Sequence, residues 1–214
     1  MRGRAIGTAW RGVAWAAAFE LASALSPARA QTIEEALPLC QSPQPDIAFA
    51  GCTALIDLMH APPALRAMAF HNRGLVRVGR REYPAGTLDL DAAASLSPQN
   101  AEYVFHTCWA RALARREFRL AREACDAALR LAPGRAKFLD GRALLALVQG
   151  QYAEAWRDYD AALRAQPNDA HALFGRALAA QRQGRASDAQ SDFARAAQAD
   201  ANVARVYQGY GLAP

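Results

Sequence analysis

Residues 136–169 read AKFLDGRALLALVQGQYAEAWRDYDAALRAQPND, and the rest of the chain is best read outward from them. Ala, Leu and Arg dominate, and these residues lose little freedom in a helix. Gly150 sits where a first helix must end, since glycine takes the left-handed C-cap conformation without strain. Tyr152 opens a second helix, and Pro167 cannot extend it and so marks a turn. Small residues at Ala155 and Ala162 let two antiparallel helices approach closely. The stretch therefore predicts helix, short turn, helix, proline-marked turn.

The same unit recurs on both sides. Leu-x-Pro or its remnant stands at Leu96–Pro98, Leu131–Pro133, Ala165–Pro167 and Ala199–Ala201, at spacings of 35, 34 and 34 residues. Segments 67–100, 102–135, 136–169 and 170–203 align residue type on residue type, with Ala101 the single insertion. Ala121, Ala155 and Ala189 stack with Gly86; Ala93, Ala128, Ala162 and Ala196 stack at a second place. Gly184 repeats the role of Gly150, and Arg81 and Arg116 replace glycine in the earlier copies. Asp158 and Asp160 read as solvent-face residues.

A 34-residue period with small and aromatic residues at these places resembles the tetratricopeptide repeat. The resemblance rests on Gly74, Tyr83, Leu90, Ala93 and Pro98 in the first copy, and on Ala121, Ala128 and Pro133 in the second. Ala143, Gly150, Tyr152, Ala155, Tyr159, Ala162 and Pro167 carry it in the third, and Ala177, Gly184, Ala189, Phe193 and Ala196 in the fourth. It implies an all-α helix-turn-helix solenoid, a right-handed superhelix of about four repeats over 67–203. Residues 31–66 read as a degenerate leading unit, with Asp46 capping an apolar run over 47–59. Residues 204–214 read as a short closing helix and tail, as solenoid ends require.

The N-terminal segment has a separate reading. Arg2, Arg4 and Arg11 precede the apolar run Val13–Phe19, and Ala28-Arg29-Ala30 has the small-x-small form of a cleavage site. Together these predict an export signal over 1–30, cut after Ala30, and a periplasmic or secreted protein. An uncleaved interfacial anchor is the alternative, because Glu20 falls in the apolar region. Four arginines against one glutamate give that segment +3, leaving +2 of the formal +5 for the remainder. No basic stripe with interleaved aromatics is present, so nucleic-acid binding has no electrostatic footprint.

The chemistry-bearing residues are sparse. Cys40 and Cys52 flank a proline-rich turn and form a candidate disulfide, although connectivity cannot be read from sequence. Cys108 and Cys125 occupy apolar places in the two helices of one repeat and read as small buried hydrophobes. No metal-ligand spacing, phosphate loop, nucleophile motif or paired-acid pattern occurs, so no catalytic, cofactor-binding or metal residue is assigned.

The expectation is a non-catalytic interaction module. The repeat resemblance places a concave groove on the first helix of each pair. Its lining would be Met68, His71 and Leu75, then Tyr103, His106, Ala110 and Leu113, then Lys137, Asp140, Leu144 and Leu147, then His171, Phe174, Leu178 and Arg182. That mixed lining suits an extended or helical peptide from a protein partner. Asn72 and Lys137 resemble fragments of a carboxylate clamp whose companions are missing. The alternative function is a spacer in a cell-envelope assembly, using the convex face or the ends.

Overall fold

The computed structural model describes residues 32–214, and the signal-like segment 1–30 lies outside the described residues. Eleven helices and no strand occur among the described residues. They form antiparallel pairs: α1 (Ile33–Cys40) with α2 (Pro45–Asp57), α3 (Pro63–Gly79) with α4 (Tyr83–Leu96), α5 (Ala101–Ala114) with α6 (Phe118–Leu131). Then come α7 (Ala136–Val148) with α8 (Tyr152–Ala165), α9 (Ala170–Arg182) with α10 (Ala186–Ala199), and the short α11 (Val203–Gly209). Each pair packs on the next, building an all-α solenoid of four repeats between a leading pair and a closing helix.

Starts and stops follow local chemistry. Asn100 accepts hydrogen bonds from the backbone N–H groups of Glu102 and Tyr103, and Asp169 from that of Ala172. Asp46 differs from its expected role: Pro45 is already the first helical residue of α2, and Asp46 lies inside the first turn, paired with Arg80. The first helix of each repeat ends on one left-handed residue: Arg81 (φ 63°), Arg115 (φ 52°), Gly150 (φ 74°) and Gly184 (φ 75°). The backbone N–H after it reaches back to close the helix, as Gln151 does to the Ala146 carbonyl at 2.9 Å. In the second repeat that residue is Arg115, one place before Arg116, because α5 stops at Ala114.

The core runs along the stack. Ala143, Ala155, Ala162, Ala179 and Ala196 are all within 1% of complete burial, and larger side chains such as Leu145, Leu173 and Tyr159 fill between them. The two tightest approaches are at Gly141, against the Phe105 ring, and at Gly175, whose Cα faces the Tyr159 ring so closely that a Cβ there would overlap Cζ.

A polar ladder also ties the repeats, and it corrects the solvent-face reading of Asp158 and Asp160. Arg142 donates through Nε and Nη2 to both Asp158 oxygens (2.7 and 2.9 Å) and through Nη1 to Asp126 of the preceding repeat (2.9 Å). Arg176 makes the same fork to Asp192, with its third bond to Asp160. Arg73 pairs with Asp89 in the first repeat. The periodicity places Cys108 in that arginine column, and there the ladder changes chemistry. Cys108 and Cys125 are at disulfide distance, S–S 1.87 Å, so they are a bridge rather than two small hydrophobes. Asp91, which lacks the arginine its counterparts use, pairs instead with Arg111 at 2.7 Å. Cys40 and Cys52 form the second bridge, tying α1 to α2.

Candidate interaction groove

The first helices α3, α5, α7 and α9 present the predicted groove residues, and the structure divides these into two sets. In the leading half, Met68, His71, Tyr103, His106 and Trp109 are half-buried. The His71 ring stacks on Tyr103 with centroids 4.5 Å apart, and the His106 ring lies 6.1 Å from that of Trp109, edge-on. A hydrogen-bond relay fixes the imidazoles. Asn72 Nδ2 donates to the Cys40 carbonyl at 3.3 Å, so its Oδ1 faces His71 Nδ1 at 3.2 Å and accepts from it. His71 Nε2 is then bare and accepts from His106 Nδ1 at 2.9 Å. The His71 ring is therefore neutral. Burial holds the His71 pKa below its ordinary value. His106 falls to about 3, through burial first and then the nearby His71 and Lys137.

Lys137 and Asn72 do not form a clamp. Lys137 Nζ donates to Glu102 at 2.7 Å, where Arg135 also binds, and Asn72 is consumed by the relay. Leu75 and Leu113 pack against the Val78 and Leu90 core cluster, half-buried.

The trailing half holds a feature the groove mapping missed. Leu144, Leu147, Phe174 and Leu178 are each at least 96% buried, while Ala110 of the leading half is completely buried against Val78 and Leu90. The chain's own C-terminus covers this half: α11 and the residues after it lie back along the first helices. Tyr207 packs its ring 4.8 Å from that of Phe174 and donates its hydroxyl to the His171 carbonyl at 2.9 Å. Tyr159 reaches the Tyr207 hydroxyl at 3.2 Å. Gly211 (φ 71°) ends α11, and the Leu212 N–H closes back on the Tyr207 carbonyl. Arginines from two repeats then hold the segment by its backbone. Arg115 donates to the carbonyls of Tyr210 (3.2 Å) and Gly211 (3.1 Å), and Arg182 to that of Ala213 (3.0 Å). We call residues 203–213 the strap.

Asp140, on α7, is near enough to Tyr207 and Tyr210 of the strap to act on both electrostatically. Its Oδ1 is buried and has no hydrogen-bond partner. Burial, with Asp169 adding repulsion, raises its carboxyl to about 7. Among the described residues no group of three or more potential metal ligands occurs, and no helix is long and apolar enough to cross a membrane.

No family model matches the chain, and no curated protein matches it. Solved structures do. The segment of MamA from residue 41 to its end, from Desulfovibrio magneticus RS-1, aligns with TM-score 0.64 at 13% identity, over 79% of this chain and 93% of that one. MamA AMB-1 aligns with TM-score 0.62 at 15% identity, over 79% and 97%. Another MamA crystal structure gives 0.62 at 17%, over 84% and 95%. At such identities the likeness speaks for the fold alone, and that fold is the tetratricopeptide-type helical solenoid.

Proposed function

We propose that this protein is an exported, non-catalytic interaction module that holds a segment of a partner polypeptide in its groove. The observation that carries this reading is the aromatic group of the leading half. His71, Tyr103, His106 and Trp109 sit half-buried on consecutive first helices, locked by the Asn72 relay. Rigid aromatic surface with few hydrogen-bonding heads gives contact area at low entropic cost, and such residues carry most of the energy at protein interfaces. In the relay His106 keeps its proton on Nδ1, which leaves Nε2 as an acceptor for a partner N–H.

The test is capture of the partner from the native envelope fraction, followed by titration of the captured polypeptide. Tyr103→Ala/His106→Ala is expected to weaken binding at least tenfold, about 1.4 kcal/mol, with helicity unchanged. Equal capture by both proteins would move the interface to the convex face or the ends, which is the spacer reading.

Export is supported by the reading of residues 1–30 and by the two cysteine pairs at disulfide distance, since such bonds persist in oxidising compartments. N-terminal sequencing of the exported protein is expected to begin at Gln31. Retention of the preceding residues would instead make that segment an anchor.

A further inference from the structure

We propose that the strap is a displaceable occupant of the groove, and that what displaces it is an extended basic segment of the partner, placing a lysine or arginine against Asp140. The inference rests on the groove being the binding surface, and it names the chemistry the groove selects.

Three observations carry it. First, the strap is held the way a bound peptide would be held. One aromatic side chain, Tyr207, is anchored in the core, and three backbone carbonyls accept from arginines on two different repeats. Arg115 is exposed, and so is Arg182. Bonds of this kind exchange readily with water, so the end of the strap is held weakly compared with Tyr207. Because they go to carbonyls, the same arginines serve any extended segment laid in the same place.

Second, the strap fits Asp140 poorly. The two buried hydroxyls on which Asp140 acts are spent elsewhere: Tyr207 donates to the His171 carbonyl and leaves Tyr159 to donate to Tyr207. Asp140 Oδ1 is left buried with no donor, a state that costs free energy whenever the carboxyl is ionised. The groups acting on it are Asp169 at the start of α9, Tyr159 on α8, and Tyr207 and Tyr210 on the strap. None of them is a cation. A partner ammonium or guanidinium at this place would form a charge-assisted hydrogen bond that the strap cannot supply.

Third, the arrangement is sensitive to pH in a defined direction. Burial, with Asp169 adding repulsion, holds the Asp140 carboxyl at about 7 against an ordinary 3.8, and water admitted as the strap lifts would lower it, so the covered state favours the protonated carboxyl. Closure is therefore favoured in acid, and the advantage is lost as pH rises through about 7. The strap is thus tightest in acid and weakest where Asp140 is charged and able to attract a cation.

The experiment uses the purified full-length protein and two synthetic peptides: residues 203–214 as they stand, and the same peptide carrying Tyr210→Lys, which keeps the Tyr207 anchor and places the ammonium near Asp140. Fluorescence anisotropy at pH 8 is expected to show the lysine peptide binding at least about fivefold tighter, roughly 1 kcal/mol. Asp140→Asn, which keeps the shape, should abolish the difference. In parallel, amide hydrogen exchange over 207–212, corrected for intrinsic rates, should be faster at pH 8 than at pH 6. It should be faster again with the lysine peptide, and should lose its pH dependence in Asp140→Asn. Equal binding of the two peptides, or strap amides as protected as those of α9 at both pH values, would overturn the proposal. So would a peptide-induced dimer, which would make the occupant a second copy's strap. Partner capture with the strap still protected defeats this inference alone, whereas an opening strap with no partner captured defeats the groove reading.

Discussion

Arg142→Ala is expected to lower the unfolding free energy by about 3 kcal/mol, the typical cost of leaving a buried charge without its partner. Arg142 forks onto Asp158, whose side chain keeps only 12% of its accessible surface, and reaches Asp126 on the neighbouring repeat. Alanine strands the Asp158 carboxylate and sets two acids near each other across a repeat boundary. Arg142 is itself about a quarter exposed, so water entering the gap keeps the loss from exceeding that figure. Urea unfolding at pH 7 measures it as a lower midpoint. Arg142→Lys should recover less than half, because a single ammonium cannot satisfy three oxygens on two repeats. Arg142→Met/Asp158→Leu should recover most of it, since an apolar pair of similar volume avoids the stranded charge. A loss below 1 kcal/mol for Arg142→Ala would show that the ladder is ornamental to stability.

The second large effect is expected at Gly175. An added methyl would overlap the Tyr159 ring, which is fully buried and has nowhere to slide. Gly175→Ala should therefore cost about 3 kcal/mol, the upper range for overpacking a close-packed interior. It should also loosen the strap, because the displaced Tyr159 hydroxyl no longer meets Tyr207. Thermal melting reads the first consequence, and hydrogen exchange over 207–212 the second. Tyr159→Leu in the Gly175→Ala background gives the methyl room and should return part of the lost stability, but not the strap protection. If Gly175→Ala melts within a degree or two of the parent, the close approach does not set the packing of α8 on α9.

Much of this architecture is legible before any coordinates, for one reason: every repeat solves the same packing problem, so its solution recurs in the sequence. The alanine columns and the left-handed turn at Gly150 and Gly184 are read that way, and Arg81 marks the same turn without glycine. The burial of the ladder is not legible so directly. Arg and Asp recur sixteen residues apart at 73 and 89, 142 and 158, and 176 and 192, but charged residues on helices ordinarily face water, so the recurrence passes for a surface pattern. The Cys108–Cys125 bridge follows from the same column, because the repeat that lacks the arginine is the one that carries the cysteines. Of the expected groove residues, Met68, His71, Tyr103 and His106 stand half-buried on α3 and α5. The trailing half is covered because the closing helix continues into a strap, and no period extends beyond the last repeat to announce that course. Tyr207 and Tyr210, large aromatics beyond the final Ala199–Ala201 turn, are the one trace it leaves.

The ladder also sets where the molecule comes apart. Arg142 and Arg176 each hold an acid of their own repeat and one of the repeat before, so repeats two, three and four are riveted across both of their shared boundaries. At the boundary between repeats one and two Cys108 stands in the arginine's place and bonds within its own repeat, and the rivet is supplied by Arg111, which holds Glu117 of its own repeat and both oxygens of Asp91 in the repeat before. A linear array melts at its weakest joint. Removing Arg111 would make the boundary between residues 98 and 101 that joint, and partial denaturation of an Arg111→Ala variant should part the molecule there. The aromatic patch of His71 with Tyr103 and His106 straddles the same boundary, so a ligand seated on it would add a second fastener there.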